Sequence, residues 1–101
     1  VGKQMEQAGV GLGQLFALRR LRAALDTALE LAPHDADVLA AKGAMLLRLP
    51  RLLGGDVEEA ERLLRAAVEA DPTNNEARCY LSRALAARGH GEEARALQPS
   101  C

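Results

Sequence analysis

Aromatic residues are almost absent from this chain of 101 residues, which contains one Phe, one Tyr and no Trp. Strands of sandwiches and barrels favour aromatic and β-branched residues, so the shortage argues against an all-β fold. Cysteine is equally scarce, since Cys79 and Cys101 are too few for a disulfide framework and poorly spaced for a metal site. We therefore expect each cysteine to stand alone and the chain to bind no metal.

A surplus of charge of one sign is missing as well, because 13 basic residues face 14 acidic ones and the formal net charge is −1. Domains that hold nucleic acid by neutralising phosphates are basic, so we expect no nucleic-acid partner. No run of about 18 uncharged apolar residues occurs, and no integral membrane span is expected. The chain begins with Val, and its first residues lack the apolar segment of a signal peptide, so we expect a piece cut from a longer protein. The location stays open between cytoplasmic and periplasmic (bacterial).

Helix-forming residues are abundant instead, because Ala, Leu, Glu and Arg dominate a chain that is 49% apolar, enough to form a core. The strongest helical pattern covers residues 56–70, where apolar residues recur on one face at steps of three and four. Asp56 followed by Glu59 is a capping-box pattern at its start, and Pro72 ends the helix. Two acid–arginine pairs on the polar side are spaced one turn apart for ion pairing: Glu58 with Arg62, and Glu61 with Arg65.

Glycine and proline divide the rest of the chain into further helices. Thr73 followed by Glu76 is a second capping-box pattern, and it opens a helix that Gly89 ends. A last short helix is expected from about residue 92. Pro33 separates two earlier helices, of which the second covers about residues 38–49. The first carries an apolar stripe formed by Leu18, Leu21, Leu25, Ala28 and Leu29.

The sequence repeats itself when Pro33 is aligned with Pro72, 39 residues later. Residues of similar type then recur at identical spacings on both sides of each proline, and Met5 and Leu12 fit the start of an earlier copy. Repetition of a helix–turn–helix unit predicts an array of stacked helix pairs. The matched positions include Leu21 with Ala60, Leu25 with Leu64, Ala28 with Ala67, Gly43 with Ser82 and Leu46 with Leu85.

This pattern resembles the tetratricopeptide repeat (TPR) family. The clearest match runs from Gly55 to Ala94 and includes Asp-Pro-Thr-Asn-Asn at 71–75 and Gly-Glu-Glu-Ala at 91–94. The resemblance implies an all-α, right-handed, open-ended solenoid of helical hairpins with about five to six helices. It divides a single domain, 1–101, into a degenerate first repeat at about 1–33, a second repeat at 34–72 with an insertion at 48–56, and a third, partial repeat at 73–101.

Two departures from the family pattern carry predictions of their own. Lys42 stands where the motif has Leu, so either its stem snorkels or its helix is rotated. The insertion at 48–56 contains Pro50, which should break the helix. It also carries three leucines that either fold back over the helix ends or form an exposed contact patch, namely Leu49, Leu52 and Leu53.

Small residues are expected where paired helices cross, because they let two backbones approach closely. A helix pair cannot cover its apolar face alone, so pairs must stack on one another. Since the chain ends in a partial repeat, we expect either a homo-oligomer contact or a missing neighbour. The small residues in question are Gly43, Ala60, Ser82 and Ala94.

In TPR proteins the first helix of each pair lines a concave groove that binds peptides or helices of partner proteins. The resemblance therefore implies a non-catalytic protein–protein interaction module, or scaffold, that needs no cofactor. Tyr80 and Arg83 are the strongest candidates, because Tyr and Arg are common interface hot spots; the alternative is that Tyr80 packs on the neighbouring pair. Matching positions give a candidate partner-binding set of Asp37, Ala41, Ala44, Arg48, Glu76, Tyr80 and Arg83.

Other interpretations stay open beside this one. The Leu-rich insertion also resembles bacterial TPR-like proteins associated with transport, so the alternative is a ligand-binding protein that oligomerises; a third is a regulatory segment of an enzyme whose active site lies elsewhere. No catalytic residue is expected, because His34 and His90 fall in turns and Cys79 is interpreted as a small half-buried side chain. Three arginines are interpreted as solvated, or as a site for phosphate or an acidic partner: Arg19, Arg20 and Arg22.

Overall fold

The computed structural model describes residues 11–97, and these residues form a chain of helices without any strand. Consecutive helices pack on one another, and the helix at Ala36–Arg48 also contacts the helix at Asn75–Ala87, as expected when one helix pair stacks on the next. The predicted all-α helical-repeat fold is confirmed. The helices are α1 (Leu12–Leu31), α2 (Ala36–Arg48), α3 (Val57–Ala70), α4 (Asn75–Ala87) and α5 (Gly91–Leu97), with a 3₁₀ turn at Arg51–Leu53 between α2 and α3.

The helix starts follow side-chain capping, although one predicted cap is wrong by a residue. The Asp56 carboxylate accepts a hydrogen bond from the backbone N–H of Glu59 at 3.1 Å, as the sequence predicts. The cap of α4 is Asn74, not Thr73, because the hydroxyl of Thr73 donates to the Asp71 carboxylate at 2.6 Å. Thr73 is therefore committed to the preceding turn, and the side chain of Asn74 takes its place at the helix start.

The core lies between α2, α3, α4 and α5. Leu46, Leu64 and Leu85 are its largest fully buried side chains. By contrast, α1 contributes no fully buried residue, and only one edge of it packs against the core, through the half-buried Leu18, Leu25 and Leu29. Within residues 11–97 the buried apolar residues are Leu39, Ala40, Met45, Leu46, Ala60, Leu63, Leu64, Ala67, Ala77, Leu81, Ala84, Leu85 and Ala94.

Leu21 departs from the predicted apolar stripe, since its side chain is 49% exposed. Its counterpart in the next repeat, Ala60, is completely buried, because α3 packs against both α2 and α4. Among the described elements α1 packs only on α2. Met5, which fits the start of the predicted first repeat, lies outside the described residues.

Small residues lie at the helix crossings, as predicted. A Cβ placed on Gly43 of α2 would lie 2.7 Å from Leu64 Cγ of α3, so only a glycine allows this approach. At the crossing of α4 and α5, the buried Ser82 hydroxyl donates to the Ala94 carbonyl at 3.0 Å. Ala60 and Ala94 are both buried as well. Small residues therefore allow close helix contact in two successive helix pairs.

The insertion folds back in part: two of its three leucines are half-buried, and the third is exposed. Leu49 is half-buried and packs against the core, and Leu53 is half-buried, whereas Leu52 is 95% exposed. The 3₁₀ turn closes through Gly54, whose φ of 96° is a left-handed conformation that favours glycine. A hydrogen bond from the Asp56 N–H to the Leu46 carbonyl, at 3.0 Å, then returns the chain to the end of α2.

Lys42 snorkels to a partner on the preceding helix. Its Nζ lies 2.5 Å from Oδ1 of Asp26 in α1, and 21% of its side chain is exposed. The stem therefore lies along the α1–α2 contact while the charge is neutralised at the edge. This pair explains how a lysine replaces the leucine of the family pattern.

Candidate partner-binding surface

The seven predicted binding residues fall into two stripes, one on α2 and one on α4. Steps of three and four residues place the members of each stripe on one side of its helix. The two helices pack on each other, so the stripes lie on neighbouring helices. We call this surface the α2/α4 face, and it consists of Asp37, Ala41, Ala44 and Arg48 from α2 with Glu76, Tyr80 and Arg83 from α4.

Tyr80 is the contact point between the two stripes. The Arg83 guanidinium carbon lies 5.4 Å from the centre of the Tyr80 ring, and the Arg48 guanidinium carbon lies 6.0 Å from the same centre. Both distances fall within the range of cation–π attraction. The structure thus brings together the two residues expected to matter most and adds Arg48 from the other helix.

The Tyr80 ring is half-buried and packs against the hydrophobic core while part of it stays accessible. The expectation that Tyr80 packs on a neighbouring pair and the expectation that it faces a groove are therefore compatible. Packing fixes the ring, so little side-chain entropy remains to be lost when a partner contacts its open side.

Arg48 and Arg83 carry positive charges that no carboxylate of residues 11–97 neutralises by an ion pair. Elsewhere the chain does supply such partners, because Arg62 bonds Glu59 and Arg88 bonds Glu61. The end of the α2/α4 face that contains Tyr80 is consequently electropositive, although the whole chain is close to neutral.

The opposite end of the α2/α4 face is acidic, and it begins at Glu76, one helical turn before Tyr80. Asp37 accepts a hydrogen bond from the side-chain amide of Asn74 at 3.0 Å, which ties the start of α2 to the start of α4. Glu76 is exposed in the first turn of α4. Between the two ends lie Ala41, which is exposed, and Ala44, which is half-buried, so the middle of the surface is shallow.

A four-residue ion network joins α3, α4 and α5, and sequence reasoning found only one of its pairs. The predicted Glu61–Arg65 pair forms at 3.1 Å, and Glu61 also accepts from Arg88 at 2.8 Å, while Arg65 reaches Glu93 at 3.0 Å. Partial burial opposes ionisation of Glu61, but hydrogen bonds from Arg88 and Arg65 outweigh it and lower the pKa of Glu61.

The second predicted pair, Glu58 with Arg62, does not form. Arg62 bonds the carboxylate of Glu59 instead, through both its Nε and its Nη2, which gives a two-pronged contact one turn earlier. These hydrogen bonds also raise the pKa of Arg62. The Asp56 N–H donates to the Leu46 carbonyl and not to Glu59, so the reciprocal half of the predicted capping box is absent at this helix start.

The remaining candidates show no catalytic arrangement among the described residues. His34 and His90 are exposed, and no group of His, Cys, Asp and Glu within residues 11–97 is arranged to hold a metal ion. Cys79 is half-buried as expected, but it is disulfide-bonded, so the expectation of an isolated thiol is wrong. Arg22 points towards the Gly54 carbonyl, at 3.5 Å, and so belongs partly to the turn after α2.

An apolar cavity of about 330 Å³ lies beside α1, and the sequence did not single it out. Within it, Leu12 and Phe16 are 73% and 56% exposed. The cavity is lined by Leu12, Leu15, Phe16, Leu18, Arg19 and Leu53.

No helix of the described residues is long and apolar enough to cross a membrane.

Comparison with known families agrees with this architecture. The family model for the tetratricopeptide repeat matches residues 51–97, from the 3₁₀ turn to the end of α5. This match supports a tetratricopeptide-repeat family for residues 51–97. Such repeats generally mediate interactions between proteins and are typically non-catalytic. No curated protein and no solved structure matches the chain.

The TPR match covers α4, and with it three of the seven residues of the α2/α4 face. Tyr80 and Arg83 lie inside the matched segment, whereas Arg48 and the rest of the α2 stripe precede it. The assignment of α1 and α2 to earlier repeats depends on the internal alignment of Pro33 with Pro72 and stays a prediction.

Proposed function

We propose that this protein is a non-catalytic interaction module whose α2/α4 face binds a peptide or a helix of a partner protein. The observation that carries the proposal is the convergence of Arg48 and Arg83 on the half-buried ring of Tyr80. Tyrosine and arginine at the centre of a contact surface supply most of the binding energy in many interfaces. Tyr80 is thus the anchor of the proposed site.

The shape of the α2/α4 face supports an elongated ligand. Glu76 and Arg83 are separated by seven helical positions, which corresponds to about 10 Å along the axis of α4. An extended peptide covers this distance with about three residues, and a helix with about two turns. The small side chains of Ala41 and Ala44 leave room for the backbone of such a segment to approach.

Selection of peptides from a random display library tests the proposal. We expect the wild-type protein to enrich peptides whose binding is lost in the Tyr80→Leu variant, which keeps an apolar side chain against the core. The matched control is Arg95→Leu, since Arg95 is exposed on α5 and away from the α2/α4 face. Peptides that bind both variants as well as the wild type would contradict the proposed site, as would the absence of any enriched peptide.

An oligomerising, ligand-binding protein is the second candidate, and the apolar cavity beside α1 favours it. Exposed apolar surface of this kind often marks contacts between proteins or with ligands. Light scattering on the purified protein separates the two candidates. The oligomerising candidate requires a measured mass above 10.8 kDa, the mass of one chain. It also requires that the mass of Phe16→Ser return to the monomer value. The first candidate requires neither.

A further inference from the structure

Resting on the proposed function, we propose that the positive end of the α2/α4 face recognises acidic side chains, so that the partner segment carries Asp or Glu. The site is the cluster of Arg48, Tyr80 and Arg83, which we call the Arg–Tyr–Arg cluster. The proposal names the chemistry of the partner at this point of the surface, which the family resemblance leaves open.

Two like charges are held close to one aromatic ring in this cluster. The guanidinium carbons of Arg48 and Arg83 lie 6.0 and 5.4 Å from the centre of the Tyr80 ring. The ring attracts each cation weakly, but it does not cancel their mutual repulsion. A carboxylate placed between the two guanidiniums removes that repulsion and gains charge-assisted hydrogen bonds from both.

The chain pairs some arginines with carboxylates and leaves others, including Arg51 and Arg95, without an ion pair among residues 11–97, so the cluster is set apart by the two guanidiniums that converge on one ring. Arg65 is bonded to Glu61 and Glu93, and Arg88 is bonded to Glu61. No residue of 11–97 forms an ion pair with Arg48 or with Arg83. The two arginines nearest Tyr80 therefore have free hydrogen-bond donors facing solvent.

The acidic end of the α2/α4 face gives the ligand a direction. Glu76 lies about two helical turns before Arg83, and Asp37 is tied to the same end of the face through Asn74, so both repel further carboxylates there. Acidic side chains of a bound segment are thus confined to the Arg–Tyr–Arg cluster, while neutral or basic side chains suit the opposite end. A segment with the reversed distribution of charge meets like charge at both ends.

A carboxylate fits this cluster better than a nucleic-acid backbone. Binding of nucleic acid depends on neutralising a row of phosphates, whereas this face holds two cations followed by an acidic end. The near-neutral net charge of the chain adds no long-range attraction for a polyanion. An acidic peptide needs only one or two carboxylates at the position of the cluster.

Intrinsic fluorescence offers a direct readout, because Tyr80 is the single tyrosine and the chain has no tryptophan. We expect a short oligo-glutamate peptide to change the Tyr80 emission saturably, and an oligo-lysine peptide of equal length to leave it unchanged. In Arg48→Gln/Arg83→Gln the affinity for oligo-glutamate should fall at least about ten-fold. Arg95→Gln is the matched control and should bind as the wild type does.

Charge reversal keeps the test decisive if the neutral variant is weakly folded. Arg48→Glu/Arg83→Glu should acquire saturable binding of oligo-lysine, whereas Arg51→Glu/Arg95→Glu, which has the same net charge, should not, so the gain is separated from a general attraction to a more acidic chain. The proposal is overturned if oligo-glutamate gives no saturable change, if the double Gln variant binds it with wild-type affinity, or if oligo-thymidylate competes with it equally. Peptides that depend on Tyr80 but lack acidic residues would refute the acidic preference while leaving the proposed function intact.

Discussion

Gly43 of α2 lies so close to Leu64 of α3 that a methyl group on the glycine would reach within 2.7 Å of Leu64 Cγ. Leu64 is completely buried, so it has no free space into which to retreat. This contact sets the distance between the two helices of the central pair. Through α2 it also sets the position of the stripe that carries Arg48.

The first prediction concerns this contact. Gly43→Ala should lower the free energy of unfolding by about 1 kcal/mol, because overpacking costs about 1–3 kcal/mol and the better helix propensity of Ala returns up to about 1 kcal/mol. Gly13→Ala is the matched control, since a Cβ there meets nothing within 4 Å. It should raise the stability by about 0.5 kcal/mol. Denaturant unfolding measures the change in the free energy of unfolding for each variant. Changes of the same sign in both variants would contradict the close contact assigned to Gly43.

The second prediction concerns the hydrogen bond from Ser82 to the Ala94 carbonyl. Ser82→Ala should cost about 1–2 kcal/mol, because removing the buried hydroxyl takes a partner away from that carbonyl. Hydrogen exchange should become faster in α5 than in α2 and α3, which do not contain the bond. Uniform acceleration along the chain would show that Ser82 does not hold α5 in particular.

The third prediction concerns pH. Because the pKa of Glu61 is lowered in the folded protein, its ionised form stabilises the fold above the unfolded value of 4.5, and this stabilisation is lost as the pH falls through the folded value. Glu61→Gln should be less stable than the wild type at neutral pH and should lose less stability on acidification below 4.5.

Glu69→Gln provides the control for the pH experiment. Glu69 is exposed on the same helix and forms no ion pair within residues 11–97. Urea unfolding at a series of acidic pH values gives the free energy of unfolding as a function of pH. The slope of that free energy against pH should equal the wild-type slope for Glu69→Gln and should be smaller for Glu61→Gln. Identical slopes for the wild type and Glu61→Gln would refute the role assigned to the ion network.

The fourth prediction separates the leucines of the insertion. Leu49→Ala should destabilise the protein by about 1–2 kcal/mol, because Leu49 packs against the core. Leu52→Ala should change the stability by less than about 0.5 kcal/mol, because its side chain is 95% exposed. Thermal unfolding of the two variants compares them directly. A larger loss in Leu52→Ala would mean that the turn is wrongly placed.

Much of the fold could be predicted because its signals are local or periodic. Proline and glycine mark the helix ends, and the internal alignment of Pro33 with Pro72 located the small residues at the crossings. The cap at Asn74 was missed because Asp71 competes for Thr73, a contact that spacing alone does not reveal. Leu21 was misplaced because α1, unlike α3, packs on only one other described helix, a non-local feature that the repeat spacing does not reveal.

The candidate site was only half predictable for a different reason. Matching positions along the repeat placed Tyr80 and Arg83 on one side of α4, since their spacing is local. The approach of Arg48 to Tyr80 depends on how α2 packs on α4, and that packing is non-local. The partner of Lys42 on α1, Asp26, was hidden in the same way.

Chemical-shift mapping by nuclear magnetic resonance tests the central claim most directly. A peptide that depends on Tyr80 is titrated into the isotope-labelled protein, and the backbone amide shifts are followed residue by residue. The account predicts the largest changes at Arg48, Tyr80 and Arg83, with little change at Arg95 of α5. Changes centred instead on Leu12 and Phe16, or spread over the outer side of α3, would contradict it.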